Sequence, residues 1–277
     1  MLPIPADMEH RVRIALDEDI GSGDLTAQLI PAQHMATARV ISREPAILCG
    51  QAWFDACFKQ VDADTQISWQ AAEGTRIAPN QPLCVIQGRA RSLLTAERCA
   101  LNFLQTLSAV ATTTRNYVEA ISGTQAAILD TRKTLPGLRL AEKYAVRVGG
   151  GQNQRIGLYD GILIKENHIA AAGGIRPALE AARNIASVPT QIEVESLDEL
   201  QTALEAGATL ILLDNFSPDQ MRQAVHINAE RAQLEASGNI TLDNVRSVAE
   251  TGVHRISIGS LTKHVRAIDL SMRFEGI

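Results

Sequence analysis

The sequence predicts an α/β fold whose larger part is a barrel of parallel strands, and three observations carry that expectation. From about residue 125 onward, short apolar runs alternate with helix-like segments. Polar side chains suited to ligand binding stand at the C-terminal ends of nearly every run. No G-x-G-x-x-G follows the first run. Strand–helix–strand at short repeats implies parallel βαβ units, compatible with a barrel or an open doubly wound sheet. A doubly wound sheet gathers its ligand groups at one switch point, whereas a barrel assembles them from many strand ends around one mouth. Arg132, Lys133, Lys165, Glu193, Asp214 and Ser237 are spread over many ends, which favours the barrel.

The runs are AAILDTRK, GILIKENH, TQIEVES, TLILLDNF, QLEASGN and RISIGS, and between the later ones lie RPALEAARNIA, LDELQTALEAGA, SPDQMRQAVHINAE and LDNVRSVAETG. Asp198 and Asp219 fall in first turns, and Gly207 and Gly252 stand where helices stop. Before residue 125 the pattern differs. ARVISREPAILCG and ISWQAAEGTRIAPNQPLCVIQG alternate apolar and polar residues with Gly and Pro punctuation, which predicts an antiparallel or mixed sheet. The helical pattern SLLTAERCALNFLQTLSAVATTTRNYVEAIS follows. Leu101, Leu104, Leu107 and Val110 recur at spacing three, with Leu94 two turns earlier, so this helix is expected to be well packed.

The chain has 277 residues, 45% of them apolar, which suffices for a barrel plus a smaller domain. A net charge of -5 argues against a nucleic-acid stripe or a polybasic membrane patch, and makes local cation clusters more informative. Cys49, Cys57, Cys84 and Cys99 form no C-x-x-C pair and are expected to be reduced, partly buried thiols of a cytosolic protein. The opening MLPIPADMEH has no basic region followed by an apolar stretch, so no secretory leader is expected, and no run approaches a membrane span. The six histidines show no metal-ligand spacing.

In QIEVE, period two puts Gln191, Glu193 and Glu195 on one face, either of a solvated edge strand or of a strand facing a polar cavity. Covered parallel sheets favour the cavity. Asp214 ends the apolar run LILLD, where a carboxylate needs cations, metal or water, or caps the turn beginning at Asn215 and Ser217. Glu193 and Asp214, on successive strands, suit Mg²⁺ held through water, or stabilisation of positive charge in a substrate. Arg132, Lys133, Arg139, Arg155 and Lys165 follow or end early strands, and Gly149-Gly150-Gly151 precedes Arg155. Arg forks match carboxylates and Lys supplies a point charge. EASGN and ISIGSLTKH are small-residue turns leaving late strands, where barrels often seat a phosphate. The composite points to transfer chemistry on a phosphorylated sugar with an anionic co-substrate.

DTRKTLPGLR, EKYAVRVGGG, GILIKENHI, IEVE, LLDNF, SGN and ISIGSLTKHV stand in order, preceded by EDIGSGDLT and LLTAERCALNFLQTLS. Over essentially its whole length the chain thereby resembles the quinolinate phosphoribosyltransferases, the nicotinate-nucleotide pyrophosphorylases of NAD biosynthesis. The resemblance implies conversion of quinolinate and 5-phosphoribosyl 1-diphosphate to nicotinate mononucleotide, diphosphate and CO₂, with Mg²⁺ as cofactor. It implies an incomplete α/β barrel over residues 116–266, joined to an N-terminal α/β sandwich over 1–115 to which the tail 267–277 returns. It implies a homodimer in which Arg98 enters the partner's mouth, and the reduced state expected of the cysteines makes the expected location cytoplasmic. Arg132, Arg155 and Lys165 would then hold the quinolinate carboxylates, Lys133 would approach the sugar phosphate, and Glu193 and Asp214 would face ribose and Mg²⁺. Ser237, Gly238, Asn239, Ser257, Gly259 and Ser260 would cradle the 5-phosphate. Where many relatives carry Asn-His-Arg, this chain reads Asn153-Gln154-Arg155, and Gln can donate a hydrogen bond but not carry charge. The rivals are a molybdenum-transport-associated paralogue of the same fold and a non-catalytic phosphate-binding barrel.

Overall fold

Glycine and proline divide the first third of the chain into short antiparallel strands. In the computed structural model, which describes residues 3–275, these are α1 (Met8–Ile20), β1 (Met35–Ser42), β2 (Ala46–Ile47), α2 (Gln51–Val61), β3 (Gln66–Trp69), β4 (Arg76–Ile77) and β5 (Pro82–Arg89). The long helical pattern becomes α3 (Ala90–Ala120). A four-stranded antiparallel sheet runs β12-β1-β5-β3, where β12 (Leu270–Phe274) is the returning C-terminal strand, and β2 pairs with β4 separately. α3 buries Leu93, Leu101, Leu104 and Leu107 in this core, and α2 buries Trp53, Phe54 and Phe58. The Phe54 ring lies 5.0 Å from Phe58 and 5.3 Å from Trp69. Full burial of each phenylalanine contributes about 2–3 kcal/mol. All four cysteines are buried and unpaired. Burial pushes their thiols upward, Cys99 to about 11, which leaves them poor nucleophiles at neutral pH.

The later runs become β6 (Ala127–Leu129), β7 (Ile162–Ile164), β8 (Thr190–Val194), β9 (Leu210–Asp214), β10 (Gln233–Ser237) and β11 (Arg255–Ser257). Helices α4 (Arg139–Val148), α5 (Glu166–Ala172), α6 (Ile175–Ile185), α7 (Leu197–Glu205), α8 (Pro218–Asn228), α9 (Val245–Ala249) and α10 (Ser260–Lys263) fall between and after them. The six strands are parallel, in the order β6-β11-β10-β9-β8-β7. That is the circular order of a barrel with one seam, between β6 and β7, so the second unit is an incomplete α/β barrel. Gln152 partly fills the seam on the β6 side: its N–H donates to the Ile128 carbonyl and its carbonyl accepts from the Asp130 N–H.

Period two sorts the sheet into two faces. Ile128, Ile164, Ile192, Val194, Ile211, Leu213, Leu234, Ala236 and Ile256 belong to one apolar core with Leu179, Leu200, Met221 and Val248 of the helices. Gln191, Glu193, Leu212, Glu235, Ser237 and Ser257 stand on the other face. Helix starts follow their sequence signals. Ser196 accepts from the Glu199 N–H, and Ser217 accepts from the Gln220 N–H in a capping box with Pro218 at the first helical position.

The chain divides into two units, residues 1–115, 135–150 and 264–277 in one and 116–134 and 151–263 in the other. The expectation that 116–266 forms one uninterrupted barrel domain is corrected at 135–150. There α4 buries Ala141, Tyr144, Ala145 and Val146 in the first unit's core, and the Tyr144 ring lies 5.1 Å from that of Trp53. Gly149, closing α4, is required by proximity: a Cβ there would lie 2.5 Å from the Ala111 carbonyl oxygen. Residues 1, 2, 276 and 277, counted in the first domain from sequence, lie outside the described residues.

Candidate active site

At the C-terminal ends of the barrel strands is a cavity of about 330 Å³. Thr131, Arg132 and Lys133 reach it from the end of β6, Gln154 and Arg155 from the segment before β7, Leu163 from β7, and Lys165 from the position between β7 and α5. Glu193 on β8, Leu212 on β9, Glu235 and Ser237 on β10, and Ser257 on β11 complete the wall. Four cations thus converge on one cup whose floor is a buried carboxylate, Glu235.

Lys165 and Glu193 form an ion pair at 3.0 Å. The Lys165 backbone N–H donates to His168 Nδ1 at the start of α5. Lys133 is held from both sides of its backbone: its N–H donates to Thr131 Oγ1, and its carbonyl accepts from the Thr262 hydroxyl. Its side chain passes over Gly259, where a Cβ would meet Lys133 Cδ at 3.1 Å. Arg155 donates through Nη1 to the Gly161 carbonyl. Burial, then the charge of Arg132, lower its proton affinity, and Asp160 opposes both.

Beneath the cations runs a chain of polar groups, of which Gln191 and Glu235 are buried and Gln154 and Arg255 half-buried. Gln154 Nε2 donates to Gln191 Oε1 at 2.6 Å, Gln191 Nε2 donates to Glu235 Oε2 at 3.0 Å, and Arg255 Nε lies 3.1 Å from that same oxygen. Buried Asp130 accepts from the Gln154 backbone N–H and the Asn153 side chain, which fixes the loop that delivers Arg155.

The remaining expected residues stand elsewhere. Asp214 ends β9 on the face of Leu212, one pair beyond it, half-exposed and accepting from the Asn215 side chain; it is not part of the cavity wall. Gly238 and Asn239 follow β10 in the left-handed region. A Cβ on Gly238 would fall 2.2 Å from Asn215 Oδ1, so only glycine fits. Gly259 and Ser260 follow β11. Arg98 is exposed on α3 in the first unit. Arg139, read from sequence as part of the cationic mouth, instead begins α4, which packs in the first unit. Glu195 lies beyond the end of β8, exposed, so only Gln191 and Glu193 face inward. The edge-strand alternative fails because β8 lies between β7 and β9.

Sequence reasoning missed Glu235 and Arg255. The available signal was the alternation in QLEAS, which puts Glu235 on the same face as Ser237.

Fold and site together define an α/β-barrel protein with a cationic cup suited to small polyanions. The chain belongs to the quinolinate phosphoribosyl transferase family: residues 24–108 match its N-terminal domain and residues 110–273 its C-terminal domain. It is 43% identical, over 94% of its length and 95% of the relative's, to a nicotinate-nucleotide pyrophosphorylase (carboxylating) of Mycobacterium leprae. Identity to a probable nicotinate-nucleotide pyrophosphorylase of Bacillus subtilis is 42%, over 92% of this chain and 89% of that one. The solved nicotinate-nucleotide pyrophosphorylase of Francisella tularensis superposes with a TM-score of 0.95 at 46% identity, over 99% of this chain and 98% of that one.

Proposed function

We propose that this protein transfers the phosphoribosyl group of 5-phosphoribosyl 1-diphosphate to quinolinate, giving nicotinate mononucleotide, diphosphate and CO₂ in de novo NAD biosynthesis. The observation that carries the reading is the convergence of Arg132, Lys133, Arg155 and Lys165 on one cavity in a chain of net charge -5. Four cations in a cup suit two substrates that are both multiply anionic. The names of the relatives support the same reaction.

In this reading Arg132, Arg155 and Lys165 orient the pyridine diacid, guanidinium forks matching carboxylates. Lys133, Ser237 and Ser257 meet the sugar phosphate together with the Gly238–Asn239 and Gly259–Ser260 loops. Holding the pyridine nitrogen against the ribose C1 supplies proximity. As diphosphate departs, positive charge grows on C1, and Glu193 with Asp214 stabilises it. The positive charge on the ribosylated ring nitrogen then stabilises the electron pair left on C2 when the 2-carboxylate departs as CO₂, and a proton from water completes the C2–H bond.

Mg²⁺ fits this donor set as a hydrated ion arriving with the diphosphate. Among the described residues no three metal-ligating side chains converge, whereas a carboxylate or two plus substrate phosphates is a usual Mg²⁺ environment. Asp214 would hold it through water, with Glu193 alongside, and the ion would offset charge on the leaving group. We further read the protein as a cytoplasmic homodimer in which Arg98 serves the partner's site. Among the described residues no helix is long and apolar enough to cross a membrane.

The test is direct. Incubation with quinolinate, phosphoribosyl diphosphate and Mg²⁺ is expected to yield nicotinate mononucleotide and CO₂ in equal amounts. Purified, folded protein that forms neither product would refute the reading.

A further inference from the structure

We infer that Gln154 is a positioning residue, the first link of a hydrogen-bonded and ion-paired brace through Gln191, Glu235 and Arg255 that holds Arg155 toward the diacid. The inference rests on the reaction proposed above and assigns a role within its site. Both ends of the Gln154 amide are engaged inside the protein. Its Oε1 accepts from the Arg155 backbone N–H at 2.8 Å, and its Nε2 donates to Gln191 at 2.6 Å. Nε2 also lies 3.3 and 3.4 Å from the two Glu235 oxygens. Gln191 Nε2 donates to Glu235, and Glu235 pairs with Arg255 directly across from it on β11.

Arg155 needs such support. It stands near Arg132, and like charges in a half-buried cavity repel. Its guanidinium is held at Nη1 by the Gly161 carbonyl, and its backbone is held by Gln154. Asp130 fixes the Gln154 N–H, and Gln154 fixes the Arg155 N–H, so the restraint reaches Arg155 through two successive residues. The brace contains one full negative charge, Glu235, which is 0% exposed and is compensated by Arg255 and by the Gln191 amide. A second carboxylate introduced at the Gln154 end would sit against Glu235 and break the chain.

Because Gln154 acts through Arg155, its loss should weaken diacid binding selectively. Q154E is expected to raise KM for quinolinate about tenfold or more, while KM for phosphoribosyl diphosphate and kcat change by less than about threefold. The double variant Q154E/E235Q moves the negative charge to the other end of the same chain and is expected to restore most of the loss, a coupling that independent sites do not show. If Q154E fails to fold, Q154A, which adds no charge, must show the same selective rise. Equal rises for both substrates, a change confined to kcat, or no recovery in the double variant would overturn the inference while leaving the reaction standing. Wild-type protein without turnover would remove the reaction and this inference together.

Discussion

Lys165 and Glu193 face each other across neighbouring parallel strands, their charged groups 3.0 Å apart at the wall of the cavity. Their neighbours Ile164 and Ile192 are paired in register, which places the two side chains opposite one another. Glu193 is the buried partner, with a side chain 9% exposed against 46% for Lys165. The pair is therefore asymmetric. Removing Lys165 strands a buried carboxylate, whereas removing Glu193 frees a solvated cation. Lys165→Ala is expected to cost about 1–3 kcal/mol of stability. Glu193→Ala is expected to leave the melting temperature nearly unchanged yet lower kcat by roughly 10²-fold or more. Thermal melts and steady-state rates on both variants check the asymmetry; a wild-type rate in Glu193→Ala defeats the assignment.

A shared site between two copies predicts complementation. Arg98→Ala and Asp214→Ala are each expected to be inactive alone. Mixed after verified subunit exchange, they should recover roughly a quarter of the wild-type rate, because half the dimers are hybrid and each hybrid has one complete mouth. Absence of recovery would separate Arg98 from the reaction.

Gly238 has φ of 100° and no room for a methyl group beside Asn215. Gly238→Ala is expected to cost about 2 kcal/mol and to displace the Asn215–Asn239 contact. The kinetic signature should be a raised KM for phosphoribosyl diphosphate with KM for quinolinate nearly unchanged, the reverse of that expected for Gln154.

In the first unit, Arg89 donates from Nε and Nη2 to the two oxygens of buried Asp62, both at 2.8 Å. These hydrogen bonds are the main reason the Asp62 carboxyl is held down to about 2 from an ordinary 3.8. A folded-state value below the unfolded one means the pair stabilises above about pH 4 and loses that contribution as pH falls toward 2. Asp62→Asn should lower stability at pH 7 by about 1–3 kcal/mol and flatten the acid dependence in that window. Denaturant melts at pH 7, 4 and 2.5 measure both.

Much of this was legible in the chain itself. The six barrel strands follow from short apolar runs, and period two alone puts Glu193 inside and Ile192 outside. The cationic mouth was visible because Arg132, Lys133, Arg155 and Lys165 each sit where a strand ends or a loop delivers it. Glu235 was hidden for a physical reason: one acid in QLEAS looks like a solvated position until the opposing strands supply Gln191 and Arg255. Arg139 was misplaced because it was read with the cations that follow the early strands, whereas it begins α4, whose apolar residues pack in the first unit's core.

The excursion of residues 135–150 governs how this chain can be cut. In sequence, Thr134 ends one segment of the barrel unit and Gly151 begins the next, and the cavity residues Arg132, Lys133, Gln154 and Arg155 all lie within four residues of one or the other. A fragment beginning at residue 116 would carry Tyr144, Ala145 and Val146 with nothing to cover them, and would be prone to aggregate. Dissection at the apparent linear boundary thus yields sticky halves; a workable split would excise the excursion and join its ends with a short loop.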